Sequence, residues 1–345
     1  MTDTLLRVLS NADLDWMIAC GNRRKLAAGH QLVQPSVAPE CLSVVIEGSL
    51  GESFVAPLGA VDEAVLIEEL GPGQIVGIGP LLDAPSLTAV TALKATQIVS
   101  LSIAQLAVKL REDVAFAAHL HHAIARLLAN RLRRIFERPD RGRCWGEPAG
   151  HDVLTVFGQL RDSDIDWLTA FGQIETIAAD RVLLPAARPV ESLYILLEGQ
   201  MAMSASQAAF NPLAHCFLGP EQNPSEHPIV ATLSQGSMPG IMSFLDFRPL
   251  PVTVRATTEA LVFAVPRQTL ATKLQVDDSF ASRFYRVIAM QILAQLQTTS
   301  LRLADPGALG ALDDEELDMD DLHQVSEGAK KFGWMLAQLG VNHHG

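Results

Sequence analysis

A chain of 345 residues, 48% hydrophobic and 19% charged, has apolar material for two or three packed cores and too little charge for a disordered polymer. Its net charge of −13 is uneven: nine acids and no Lys or Arg lie from Asp305 to Glu327, leaving −4 on the rest and no global reason to bind nucleic acid. No apolar run approaches the ~18 residues of a spanning helix, the N-terminus lacks a signal-peptide core, and the four cysteines are too scattered for a metal knuckle or disulfide framework, so a cytoplasmic protein with reduced thiols is expected.

In chain order, the first element is a short amphipathic helix around Trp16, with Asn11 as its N-cap. Aliphatic runs broken by Gly and Pro follow at 42–46, 64–68, 75–78 and 96–101, the pattern of a β sandwich or barrel. Residues 103–137 then change to a helical period, with Leu120, Ile124, Leu128 and Leu132 on one stripe. After a Pro- and Gly-containing linker at 138–153, the series repeats. Asp13-Leu14-Asp15-Trp16 returns as Asp164-Ile165-Asp166-Trp167, and the run 42–48 returns as 193–199, ending in Glu-Gly both times. The offset is 151 with no gap, and grows by 12 or 13 after a Pro- and Asn-rich loop at roughly 204–229. The second helix is opened by Ser163, the second strands fall at 193–197, 229–233, 252–255 and 260–265, and the second long helix covers 267–303 with Phe284, Ile288, Ile292 and Leu296 on its stripe. Four segments result: 1–137, a linker 138–153, 154–303, and an acidic tail 304–345.

Between the strands of each copy lies a segment with a family likeness. GIGPLLDAPSLTAV at 77–90 and GIMSFLDFRPLPVTV at 240–254, set in a barrel closed by a long helix, resemble the phosphate-binding cassette of the cyclic-nucleotide-binding domain family. That family includes the sensor halves of Crp/Fnr regulators and the regulatory subunit of protein kinase A. The resemblance implies an α+β fold class, mainly β, of two tandem jelly rolls, each followed by a long helix. It also implies backbone N–H groups that cradle a cyclic phosphate, an Arg and a Ser or Thr on that phosphate, and a Glu on the ribose. Gly77 and Gly240 begin the two cassettes, Pro85 matches the pattern, and Thr88 and Thr253 belong to the same degenerate segments. The Glu position holds Ile78 and Ile241, the Arg position Ser86 and Leu250, and the hydroxyl position Leu87 and Pro251. Losing two charged hydrogen bonds of ~1.5–3 kcal/mol each costs roughly 10²–10⁴ in affinity. Arg248, two residues before the Arg position, reads as a solvent-facing loop side chain. Both cassettes are therefore expected to be degenerate, with Ile78 and Ile241 buried and no polar cavity enclosed.

A basic patch of Arg131, Arg134, Arg138, Arg141 and Arg143, with Arg126 and Arg133 beside it, reads as a solvated helix end rather than a nucleic-acid surface. His119, His121 and His122 lack converging ligands, so no metal site is expected. No nucleophile elbow, P-loop or carboxylate pair points to an enzyme or a cofactor. In the tail, Leu322, Val325, Ala329, Phe332, Leu336 and Leu339 are spaced 3, 4, 3, 4 and 3, a helical stripe flanked by Trp334 and Met335. Three glycines make that helix marginal alone, so it must dock. A foreign groove, with Phe332, Trp334, Met335, Leu336 and Leu339 as anchors, is favoured over the chain's own arginine patch. The expectation is a non-enzymatic interaction, regulatory or assembly component, whose long helices pair internally or in a homo-oligomer. A small-ligand sensor is the alternative, a nucleic-acid binder the third reading, and membrane attachment is not expected.

Overall fold

The computed structural model describes residues 3–54, 65–137, 155–205, 229–304 and 319–341. The first copy opens with helices α1 (Asp3–Val8) and α2 (Asn11–Cys20). Eight strands follow: β1 (Asn22–Leu26), β2 (Gln31–Val33), β3 (Cys41–Glu47), β4 (Leu50–Phe54), β5 (Val65–Leu70), β6 (Ile75–Val76), β7 (Ala89–Ala92) and β8 (Thr96–Ser102). They form two antiparallel sheets, β1-β8-β3-β6 and β2-β7-β4-β5. Val33, Val45, Leu50, Leu70, Val90 and Ile98 fill the space between them, as alternation along strands of a two-sheet sandwich requires. Helices α3 (Ile103–Glu112) and α4 (Val114–Glu137) close the copy.

The second copy repeats this plan. A 3₁₀ turn (Thr155–Gln159) and α5 (Asp162–Phe171) lead into β9 (Gln173–Ile177), β10 (Val182–Leu184), β11 (Ser192–Glu198), β12 (Met201–Ser204) and β13 (Ile229–Leu233). Then come α6 (Ile241–Asp246), β14 (Thr253–Ala256), β15 (Ala260–Pro266), α7 (Arg267–Val276) and α8 (Asp278–Ala304). The sheets β11-β15-β9 and β10-β14-β12-β13 keep the first copy's pairings. Strand β6 has no counterpart strand, yet Leu196 makes with Gly236 and Ser237 the same backbone bonds that Val45 makes with Gly73 and Gln74.

Two expectations about helices need correction. Each long helix is two helices, because Asp113 and Asp277 end one and cap the next. Asp113 accepts from the Phe116 N–H at 3.0 Å and from Lys109 Nζ at 2.7 Å. Asp277 accepts from Phe280 N–H at 2.9 Å and Lys273 Nζ at 2.7 Å. The lysine bonds, then those backbone bonds, hold both carboxyls below the usual range. The apolar stripe runs through the break, so periodicity alone hides it. The N-cap of α2 is Ser10 rather than Asn11: the Ser10 hydroxyl accepts from Asp13 N–H at 3.2 Å while Asp13 accepts from Ser10 N–H at 2.7 Å. In the second copy the equivalent bond runs from Arg161 N–H to Asp164 at 2.8 Å, ahead of Ser163.

Helix α4 lies along α8 with Cα atoms within 8 Å. Leu120, Ile124 and Leu128 face Phe284, Ile288 and Ile292 across one continuous core, all essentially fully buried. Each opening helix is tied to its own long helix by the same carboxylate: Asp13 meets His119 Nδ1 at 2.8 Å, and Asp164 accepts a two-pronged bond from Arg283 at 2.6 and 2.8 Å. Among the described residues no helix is long and apolar enough to cross a membrane.

The tail forms helix α9 (Met319–Gln338). Its stripe does not wait for a foreign groove. Phe332, Met335 and Leu336 are buried within the chain, Leu339 is half-buried, and Trp334 remains partly exposed. The helix packs on the 3₁₀ turn and α5 rather than on the arginine patch. Phe332 meets Phe157 edge-on with ring centroids 5.1 Å apart, and Lys331 Nζ donates to the Gly158 and Leu160 carbonyls at 3.1 and 2.6 Å. The second copy supplies its own aromatic ring and carbonyls there, so these anchors are covered within the chain. Phe332→Ala should weaken this docking by about 3–5 kcal/mol. Hydrogen exchange should then show lost protection across 319–341 with α4 and α8 still protected, and unchanged protection in the tail would contradict the packing.

Candidate functional site

The first cassette starts at Gly77, whose φ of +81° is needed because a Cβ there would sit 2.3 Å from the Cys41 carbonyl oxygen. A single 3₁₀ turn (Gly79–Leu81) follows, and Ile78, Leu81 and Leu82 turn inward. In the second copy Gly240 has φ +79°, with Leu184 and Val190 crowding its Cβ position, and the turn is a longer helix, α6. Ile78 and Ile241 are both 6% exposed, so hydrocarbon occupies the position where the family places its ribose-binding Glu. Leu250, at the Arg position, is buried, while Ser86 is half-buried and Pro85 exposed.

The hydroxyls and arginines near the second cassette serve the protein itself. Thr253 Oγ1 accepts from Ala186 N–H, and Ser243 Oγ from Val190 N–H, each at 3.2 Å. Arg267, the first residue of α7, donates to the Val190 carbonyl at 2.9 Å and to the Ser243 and Phe244 carbonyls, capping the end of α6. Arg248 is exposed as expected but engaged: it donates to Asp246 at 2.7 Å and reaches Asn130 of α4.

That last contact belongs to a reciprocal clamp. Arg133 on α4 donates to the Pro249 carbonyl at 2.5 Å and pairs with Asp246 at 3.1 Å, both side chains almost fully buried. On the other side, Gln297 on α8 donates to the Pro85 carbonyl at 3.0 Å and Arg286 pairs with Asp83 at 2.6 Å. Arg133 and Gln297 occupy equivalent positions in the two copies, as do Pro85 and Pro249 and Asp83 and Asp246. Each cassette is thus held by the long helix of the other copy.

The copies part company beneath the clamp. In the first, Thr88 Oγ1 donates to Glu52 at 2.6 Å, and Arg131 of α4 bridges Glu52 to Glu68, with a 2.9 Å bond to the latter. Arg134 also pairs with Glu68. Burial, then the charge of Arg134, pulls Arg131 down to about 10, which leaves it charged at neutral pH. A cavity of about 70 Å³ lies against this cluster, lined by Glu52, Thr88 and Arg131 on one side and by Ile78, Leu293 and Leu296 on another. At roughly 10–15 Å³ per water this space holds a few waters. The space is partly open to solvent and mixed in lining, polar toward Glu52 and Arg131 and apolar toward Ile78 and Leu296, so it is not an enclosed polar cavity. Equivalent positions in the second copy are Met203, Ala231 and Gln295, and there the amide of Gln295 meets the Met203 sulfur, at 4.0 Å.

The arginine patch dissolves in the fold. Arg131 and Arg133 are buried in ion pairs and Arg134 is bound to Glu68, so these three do not form a solvated basic face. Arg138, Arg141 and Arg143 lie outside the described residues. His119 serves Asp13, His121 donates to the Ser282 carbonyl at 3.1 Å, and His122 stacks flat on Tyr285 at 4.1 Å. No group of three or more metal-ligating side chains converges among the described residues.

Residues 174–277 match the family model described as "Cyclic nucleotide-binding domain". No curated protein matches the sequence. Among solved structures, the chain is similar to the regulatory domain of Toxoplasma gondii PKA with cAMP, at 18% identity over 79% of this chain and 91% of that one, TM-score 0.28. It is similar also to the regulatory subunit of a cAMP-independent protein kinase A from Trypanosoma cruzi bound to guanosine, at 15% identity over 79% and 80%, TM-score 0.28. The N-terminal domain of a transcriptional regulator from Streptomyces coelicolor A3(2) matches at 25% identity over 37% and 89%, TM-score 0.32. The family match and the repeated strand order together mean that the chain carries a domain of the cyclic-nucleotide-binding family at 174–277 and a first copy built on the same plan.

Proposed function

We propose that this chain is a non-enzymatic interaction, regulatory or assembly component in which the two cassettes serve as latches between the copies, and cyclic nucleotide is not the ligand. The observation that carries this reading is the reciprocal clamp, Arg133 on Asp246 and Pro249 against Arg286 and Gln297 on Asp83 and Pro85. A nucleotide entering either cassette would meet Ile78 or Ile241 in place of an acceptor, and Ser86 or Leu250 in place of the arginine. The four segments 1–137, 138–153, 154–303 and 304–345 remain the proposed division of the chain.

Titration calorimetry of the full chain with cyclic AMP and cyclic GMP should give no dissociation constant below about 10 μM. Binding tighter than that at either copy would overturn the reading. The cavity beside Glu52, Thr88 and Arg131 supports a second reading, a small polar ligand in the first copy alone. Its volume suits a molecule of a few heavy atoms rather than a nucleotide.

A further inference from the structure

The facing helices α4 and α8 differ in how their cations are matched. Aligning Asp113 with Asp277 makes His119 equivalent to Arg283, His122 to Arg286 and Arg126 to Met290. On α8 both cations have acids: Arg283 holds Asp164 in its two-pronged bond, and Arg286 meets Asp83 at 2.6 Å and reaches Gln159. On α4 the corresponding acids are engaged by other side chains. Asp13 serves His119, and Asp246, the equivalent of Asp83, lies between Arg133 and Arg248. Arg126 is left over. It is half-buried, its Nε is buried with no acceptor, and among the described residues no carboxylate comes within ion-pair distance of it. One turn back on α4, His122 stacks on Tyr285 of α8, and among the described residues the polar atoms of these two rings have no hydrogen-bond partner. Burial is the main influence on both rings. After it, the charge of Arg126 opposes protonation of His122 and favours ionisation of Tyr285, so the guanidinium stands beside both.

We propose that Arg126, Tyr285 and His122 form a binding site for a small free oxyanion, a phosphate or a carboxylate, at the seam between α4 and α8. The guanidinium offers a fork that matches two oxygens of such a group, the phenol hydroxyl adds a donor, and a neutral imidazole donates from one ring nitrogen. A buried guanidinium nitrogen without an acceptor is unfavourable, and the anion supplies that acceptor. The other half of the seam shows the mode: there a carboxylate of the chain, Asp83, sits on Arg286, whereas here the oxyanion comes from solution. Met290, at the place of Arg126, shows that packing at this position does not require a cation. Arg131 cannot serve in the same way, because it already lies between Glu52 and Glu68. None of the three residues belongs to a cassette or to the clamp, so the site goes beyond the latch reading and does not depend on it.

The test uses the full chain with nitrogen-15-labelled histidines, titrated with sodium phosphate and separately with sodium acetate. Chloride holds the ionic strength, and the pH is constant. The ring signal of His122, assigned by its loss in His122→Phe, should move saturably with at least one of the two anions, half-saturating below about 10 mM. Saturation by phosphate assigns the site to a tetrahedral oxyanion, and saturation by acetate to a planar carboxylate. Arg126→Met, which installs the residue found at the equivalent position of α8, should weaken binding at least tenfold. Its melting temperature in chloride should match the parent, because no protein partner is lost. Tyr285→Phe removes only a hydroxyl and should weaken binding severalfold, which gives a second variant that leaves the ring packing in place. A His122 signal that stays still with both anions, or drifts linearly without saturating, would overturn the proposal. So would equal saturation in the parent and in both variants, since the anion would then be held elsewhere.

Discussion

Arg131→Ala should destabilise the first copy by about 3–5 kcal/mol, the usual result of leaving a buried carboxylate without its ion pair, here Glu52, since Glu68 keeps Arg134. Arg131 is 9% exposed, and the side chains it leaves, Glu52 and Glu68, are 15% and 10% exposed, so neither gains enough water to replace the guanidinium. Chemical denaturation monitored at Trp16 should report the loss. A value near the 0–1 kcal/mol of an exposed pair would show that water already reaches the cluster through the cavity. The second copy supplies the control. It carries Met203, Ala231 and Gln295 at the three equivalent positions, so the triple variant Glu52→Met, Glu68→Ala, Arg131→Gln should recover most of the stability. Arg134, a third exposed, can turn to solvent when Glu68 goes. Recovery would mean that the ionic cluster is dispensable for folding and is kept in the first copy for another reason, as the small-ligand reading requires.

Acidification from pH 7 to pH 5 should loosen the seam between α4 and α8 by about 4 kcal/mol. Burial holds His121 at about 4, with the charge of Arg286 adding to the effect, and burial holds His122 at about 4, with Arg126 and His119 adding. Their ordinary value is 6.5, so the unfolded chain takes up protons first as pH falls. Stability from these groups is complete above about pH 6.5 and is lost down to about pH 4, at roughly 2 kcal/mol each by pH 5. The facing groups do not offset burial: the Ser282 carbonyl, which accepts from His121, favours the protonated ring but ranks behind burial and Arg286, and His122 lies on the face of Tyr285, itself pushed up to about 12 by burial. Asp113 and Asp277, held below the usual carboxylate range, lose their contribution only at lower pH and do not share this window. Melting temperature followed from pH 7.5 to 4.5 should fall, and the double variant His121→Asn, His122→Phe should flatten the fall. An equal slope in parent and variant would move the acid sensitivity elsewhere.

The amino-acid sequence determined the repeat, the tandem two-sheet plan and the loss of the cassette's charged side chains, because these depend on residue type and spacing within each copy. Ile78 and Ile241 could be read as ribose-pocket fillers from the motif alone, and both are buried. The polar cluster left a trace that a comparison of the two copies would have caught, Glu52, Glu68 and Arg131 against Met203, Ala231 and Gln295. What the sequence could not supply was pairing between segments far apart in the chain. Arg131 and Arg133 look like a solvated basic run until α4 is laid between both jelly rolls, where one finds Glu68 and the other Asp246, 113 residues away. The stripe on α9 fixed that the tail must dock but not on what, since any apolar face with a free carbonyl satisfies Phe332 and Lys331. Only the packed molecule decided that it covers the second copy and leaves Leu6 and Ile18 of the first in water, because burial is a property of neighbours and not of spacing.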